Sequence, residues 1–208
     1  MSIKEQVSKD HYSFQRYMGK PRWISMWHQL NELMRLSPER VLEIGPGPGL
    51  FKAIAAPFGV SVETLDLAAD LNPDHVGSVT AMPFDEGSFD VVCAFQVLEH
   101  LPYELALEGY REMRRVSRGN LLISLPDAKL VWRYVGYIPK FGNIDRLVTR
   151  PFAKPEQHEF DGEHHWEINK RGYPLERIMA DFSTVDSHIR TYRVQENPYH
   201  RFFVITRK

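Results

Sequence analysis

From Pro21 to Leu36, apolar side chains recur at Trp23, Met26, Trp27, Leu30, Leu33 and Met34. That is the spacing of one helical face, and Pro21 suits a first turn. RVLEI (40–44) reads as a strand, GLFKAIAAPFG (49–59) as a short helix closed by Pro57 and Gly59, and VSVETLDL (60–67) as an alternating strand. HVGSV (75–79) fits a further short strand before the turn-rich PFDEGS (83–88). FDVVCAF (89–95) is an apolar run of the kind buried on both faces of a parallel sheet. Tyr103–Val116 is helical, with Leu105, Leu107, Tyr110, Met113 and Val116 on its periodic face, and NLLISLP (120–126) is the next buried strand. Alternating strands and helices predict an α/β fold with a parallel sheet covered on both sides.

After Pro126 the rhythm breaks. Asp127 is placed to cap a helix carrying Val131, Tyr134, Val135 and Ile138 and stopped by Pro139. A polar, proline-bearing stretch follows to Arg171, then a helix near Leu175–Phe182 and strands near Thr184–Tyr192 and Arg201–Thr206. Residues 127–171 are too long for a plain connection and read as a lid or binding insertion.

At 208 residues the chain fits a single domain, 1–208, with residues 1–38 as an N-terminal helical cap. A net charge of −1 argues against a dedicated nucleic-acid binder. The sole cysteine, Cys93, cannot form an internal disulfide, and neither a leader nor a membrane span is visible, so a soluble cytoplasmic protein is expected. Charge is uneven: between Lys129 and Lys154 six bases face one acid, Asp145. Such an excess either attracts an anionic substrate or is a solvated face.

The candidate chemistry begins with VLEIGPGPGLF (41–51), a glycine turn between a strand and a helix. It departs from the dinucleotide fingerprint G-x-G-x-x-G/A, because Leu50 holds the last glycine position. Pro46 and Pro48 also remove two N–H donors that a pyrophosphate would need. Glu43 just ahead would repel phosphate but suits an ammonium group. The loop therefore fits a cationic, phosphate-free ligand such as S-adenosyl-L-methionine.

These residues resemble the class I S-adenosylmethionine-dependent methyltransferases, of the type 11-like kind. Glu43, Gly45, Gly47 and Gly49 match the acidic residue and G-x-G-x-G of the family's first motif. Asp66 matches the acid that meets the ribose hydroxyls, with Leu67 beside it. GSVTAMPFDEGSFDVV (77–92) resembles the adenine-binding turn, with Ser78 where the family usually has aspartate and with Val79 next to it. In FQVLEHL (95–101), Phe95 and Gln96 would lie beside the methionine part of the cofactor. The resemblance implies a Rossmann-like, seven-stranded, mostly parallel sheet flanked by helices, with a lid-like insertion after strand five.

QVLEH (96–100) also looks like the E-x-x-E-H segment of metal-assisted O-methyltransferases, with Gln96 in place of the first acid. A set of Glu99, His100 and His165 is chemically able to bind a metal. Glu-His pairs are common in relatives without one, and no metal is assigned. FDGEHHWEINKRGY (160–173) is either an acceptor-site wall with a histidine base or a lid anchored by Trp166. Tyr12, Phe14 and Tyr17 either close over the site or pack beneath the first helix. The candidate bases, in order, are His165, His164 and His100.

The expected activity is methyl transfer to a small-molecule or glycan acceptor at oxygen, with no nucleic-acid partner and no stable membrane insertion. The competing readings are a non-catalytic cofactor-binding subunit, a metal-assisted O-methyltransferase and a nicotinamide-dependent reductase.

Overall fold

Alternate residues of β1 (Arg40–Ile44) belong to two different cores. Val41 packs with Leu33, Phe51, Ala55 and Val62, while Leu42 and Ile44 pack with Tyr110, Met113 and Ile123. The same split separates Val91 from Val92 and Leu121 from Leu122, as the two-residue period of a strand requires. A sheet greasy on both faces needs a helical layer on each.

The computed structural model describes residues 12–207. Its main sheet contains β1, β2 (Ser61–Asp66), β3 (His75–Val76), β4 (Phe89–Phe95), β5 (Ser117–Pro126), β8 (Ile189–Arg193) and β9 (His200–Ile205). The spatial order is β3-β2-β1-β4-β5-β9-β8, parallel except that β9 runs antiparallel to β5 and β8. Helices α2 (Lys20–Leu36) and α3 (Leu50–Ala55) cover one face, while α4 (Tyr103–Val116) and α5 (Leu175–Ser183) cover the other. A single turn, α1 (Phe14–Tyr17), precedes α2. Cys93 is buried inside β4, with its thiol pushed well above the ordinary range by burial.

One element differs in kind from expectation. Residues 131–138 form no helix; β6 (Val131–Ile138) and β7 (Gly142–Thr149) make a separate antiparallel hairpin. The positions 131, 134, 135 and 138 fit a helical face, but the residues around them are β-branched or aromatic, and Gly136 interrupts them. A tight turn with Lys140 and Gly142 at positive φ then brings in an equally strand-prone partner, IDRLVT. Asp127 does not cap a helix. Its buried carboxylate accepts from Arg201 Nε at 2.7 Å, Asn169 Nδ2 at 2.8 Å and the Lys129 N–H at 2.9 Å. The first of the two closing strands starts later than expected, at Ile189, because Val185 and Asp186 still bond back to the end of α5.

Candidate active site

The glycine loop sits at the carboxyl end of β1, where the parallel strands open a crevice. Gly45 and Gly47 have φ of +65° and +53°. A Cβ on Gly45 would lie 2.7 Å from Val97 Cγ2, and one on Gly47 would lie 2.9 Å from the Tyr12 ring. Both positions therefore require glycine for conformation and for space. Gly49 is the residue that opens α3.

Strand periodicity puts Glu43 on the same face as Val41. Its Oε2 is buried and has no hydrogen-bond partner. Burial pushes its carboxyl up to about 8, against a weaker pull from Lys52. It lines a cavity of about 30 Å³ with Tyr17, Arg22, Gln29, Gln96 and His200. An unpaired buried carboxyl is costly in an empty site and suits a cationic ligand. On this observation the residues present fit S-adenosylmethionine.

Asp66 ends β2 and accepts the Ala68 N–H at 2.9 Å. Burial raises its carboxyl, opposed by the backbone N–H groups of Ala68 and Leu67. Gly45 N–H bonds Leu65 O and Gly77 N–H bonds Asp66 O, so the β2 end lies between the glycine loop and the Gly77–Ser78 turn. Leu67 is exposed, as an open contact would need. The Ser78 hydroxyl is engaged in a local turn, with Thr80 Oγ1 at 2.8 Å and Thr80 N at 3.2 Å. Val79 turns its side chain into the main core, which leaves its backbone as the part available to a ligand.

At the end of β4, Phe95 packs against Phe51 with ring centroids 5.2 Å apart. Gln96 adopts φ +58°, uncommon for a non-glycine residue. Its backbone N–H and its Nε2 bond Ser124 O and Oγ, at 2.9 and 3.1 Å. The short turn after it carries Glu99, which is fully buried, with neither carboxylate oxygen meeting a donor from another residue. Burial raises this carboxyl to about 8, partly offset by His164.

Of the three candidate histidines, the fold brings together two. His100 and His164 meet edge-to-face at 5.0 Å, and one ligand atom from each lies within 4.8 Å of the others and of Glu99. His100 Nδ1 contacts Glu163 O at 2.9 Å, and burial lowers its pKa. His164 Nδ1 contacts Glu167 Oε1 at 3.0 Å. Burial alone would lower the His164 pKa, but the Glu167 hydrogen bond and the Glu99 and Glu167 charges raise it. Tyr199 Oη donates to the same Glu167 oxygen.

His165 goes elsewhere. Its ring lies 4.6 Å from Phe160, and only its backbone N–H reaches Glu99 O, at 2.8 Å. Beside Glu99 and His100, the geometry supplies His164 in place of His165. Trp166 is buried against Tyr103 and donates from Nε1 to Leu101 O at 3.1 Å, which anchors the segment.

Sequence reasoning overlooked His200 and Arg22. His200 begins β9, opposite Pro126 of β5, and reaches the crevice only because β9 runs antiparallel. Its Nδ1 has no partner, and burial, then the Arg22 charge, holds its pKa down to about 3. No local motif marks either residue. Of the N-terminal aromatics, Tyr12 and Tyr17 meet at 5.0 Å beside the glycine loop, and the Arg22 guanidinium lies 4.0 Å from the Tyr17 ring. Phe14 is exposed.

The strand order, the glycine loop after β1 and the acid closing β2 define a Rossmann-like class I S-adenosylmethionine-dependent methyltransferase. The chain matches a methyltransferase-domain family over residues 14–167 and belongs to that family. The residues of its site fit S-adenosyl-L-methionine. An uncharacterized methyltransferase of Mycobacterium sp. (strain JLS) is 31% identical over 121 residues, covering 52% of this chain and 44% of that protein. The chain thus spans less than half the length of the curated relatives it matches.

Solved structures with a similar fold include the PH0226 protein from Pyrococcus horikoshii OT3, with a TM-score of 0.63 at 16% identity over 96% of this chain and 94% of that one. The glycopeptide N-methyltransferase MtfA, complexed with S-adenosyl-L-homocysteine, has a TM-score of 0.56 at 14% identity over 86% and 88%. An S-adenosylmethionine-dependent methyltransferase from Mesorhizobium loti has a TM-score of 0.56 at 16% identity over 91% and 99%.

Proposed function

We propose that this chain transfers a methyl group from S-adenosylmethionine to a small-molecule or glycan acceptor, at oxygen. The observation that carries the reading is His164, held by Glu167 and Tyr199 beside Glu99 and His100. The bound cofactor supplies a methyl group already activated on a sulfonium, so the protein needs no separate electrophile. Its residues have to hold the acceptor in line and exclude water, which is worth on the order of 7–11 kcal/mol. A hydroxyl acceptor also has to lose a proton. With Nδ1 turned to the Glu167 carboxylate, His164 offers Nε2 as the base. His100 is the second candidate, and His165 ranks below both because its ring lies against Phe160.

In this reading Glu43 faces the positive end of the cofactor, Asp66 takes the ribose, the Ser78–Val79 turn meets the adenine, and Phe95 and Gln96 flank the methionine part. The insertion 127–171 forms the acceptor side, and its excess of bases favours an acceptor with acidic or phosphate-linked groups.

The test is a methyl-donor assay against pools of metabolites and nucleotide sugars. His164→Ala is expected to lower turnover by about 10²–10⁴-fold, the usual contribution of general-base catalysis. His165→Ala should stay near wild type. Undiminished turnover in His164→Ala and His100→Ala would remove the base from the scheme. Cofactor binding without turnover on any acceptor would favour the non-catalytic subunit instead.

A second reading, metal-assisted O-methylation, is favoured by the convergence of Glu99, His100 and His164 and by the bare Glu99 carboxylate. These three residues would hold a divalent cation, with Glu163 O and Glu167 orienting the two imidazoles from behind. Loss of turnover with a chelator, restored by added divalent cation, selects this reading; chelator-insensitive turnover rejects it.

A further inference from the structure

The β6–β7 hairpin leaves large apolar side chains in solvent. Val135 and Tyr137 are 69% exposed and Phe141, in the turn, 84%. The register pairs Trp132 with Val148, Tyr134 with Arg146 and Ile138 with Gly142, so Trp132, Tyr134, Ile138 and Val148 share one face. The opposite face meets the domain only near its root, where Arg133 forks onto Asp145 and reaches Glu196 at 3.6 Å, while Val135 and Tyr137 further along that face stay in solvent. An exposed apolar patch this continuous marks an interaction site.

Its charges identify the partner. The one acid of the segment, Asp145, is neutralised by Arg133. Lys129, Lys140, Arg146 and Lys154 form no salt bridge among the described residues, although the Arg146 charge acts on Asp145, and the Arg150 guanidinium lies 5.8 Å from the Trp132 ring. At the hairpin root, Lys129, Arg150, Phe152, Lys154 and Lys170 line a cleft of about 550 Å³, in which only Lys170 is paired, with Glu156. Apolar side chains at the tip, with Lys140 the one cation among them and the other bases behind, match the layering of a bilayer interface, where rings enter the headgroup region and bases meet phosphates. A nucleic-acid surface would want the cations foremost, whereas here the tip carries Tyr137, Ile138 and Phe141 around the single cation Lys140.

We propose that the hairpin and the cationic cleft at its root dock the protein on an anionic lipid bilayer. Tyr137, Ile138 and Phe141 enter the headgroup layer, and Lys129, Arg150 and Lys154 meet lipid phosphates. Attachment is peripheral: among the described residues no helix is long and apolar enough to cross a membrane. The inference concerns attachment and does not depend on which acceptor is methylated.

Cosedimentation of the full chain with liposomes tests it. Vesicles of phosphatidylcholine with phosphatidylglycerol should bind at least about tenfold more tightly than phosphatidylcholine alone, with binding weakened by salt. The triple change Y137S/I138S/F141S and the pair K129E/K154E should each abolish most of that binding. Unchanged melting temperatures would show that both variants fold, since these side chains lie outside the core. Equal or absent binding to the two vesicle types overturns the proposal. So does salt-sensitive binding that survives the tip variant, which would indicate an acidic macromolecule. Concentration-dependent dimerisation lost in the tip variant, without vesicle binding, would assign the face to a second copy of the chain.

Discussion

In the proposed scheme, Glu43 is the residue whose state couples most directly to the cofactor. It is buried with one oxygen unpartnered, and burial holds its carboxyl near 8, so at neutral pH the ligand-free side chain is mostly protonated. A sulfonium or ammonium arriving beside it favours the charged form. Binding of S-adenosylmethionine near pH 7 should therefore release close to one proton. Calorimetry in two buffers of different ionisation enthalpy reads this directly, and identical heats in both would contradict it. Glu43→Gln should abolish the proton release and weaken binding by about 1.5–3 kcal/mol, the worth of a charge-assisted hydrogen bond. Asp66 and Glu43 are legible in the sequence because each follows a strand pattern at a fixed distance from the glycines. His200 is not, since nothing local separates it from a turn histidine.

Among the elements, the hairpin and the Trp166 segment show how local pattern and context compete. Four apolar residues in β6, Val131, Tyr134, Val135 and Ile138, satisfy a helical face although the segment is a strand, and only the pairing with β7 decides between them. The segment around Trp166 has no regular structure, yet its indole is 1% exposed and hydrogen-bonded to Leu101 O. Trp166 thus ties His164 to the core. Trp166→Ala should cost about 3–5 kcal/mol, as large-to-small changes in a packed core do. It should also depress turnover beyond the loss of folded protein, because His164 loses its seat. Trp166→Phe keeps most of the packing but leaves Leu101 O without its donor, at about 1 kcal/mol. Thermal melts of the two variants check the order, and a melt of Trp166→Ala equal to wild type would mean that the segment is not anchored there.

At the scale of the whole molecule, buried ionisable groups set how stability follows pH. Glu43 has a folded pKa of about 8 against an ordinary 4.5, so the native state holds a proton that the unfolded chain has released, and stability falls as pH rises through that window. Glu99 adds to the fall in metal-free protein, and His164, raised by Glu167 against its burial, acts in the same direction. His200, held near 3, works oppositely: its contribution is present above the ordinary histidine pKa and is lost on acidification. The cofactor-free protein should therefore melt at lower temperature at pH 8 than at pH 6.5, and Glu43→Gln should flatten that slope. A melting temperature that rises across this interval would refute the assignment.

The sequence by itself determined the alternation of strands and helices up to Pro126, the glycine turn without phosphate donors, and the acids at the ends of β1 and β2. These depend on backbone periodicity and on residue chemistry within a few positions. Tertiary structure alone decided that residues 131–149 pair as a hairpin, that His164 and not His165 joins Glu99 and His100, and that His200 enters the crevice. These outcomes turn on which strand pairs with the next, on which surfaces meet across tens of residues, or on which way neighbouring side chains in an irregular segment are turned by packing. Local propensity carries no record of any of these.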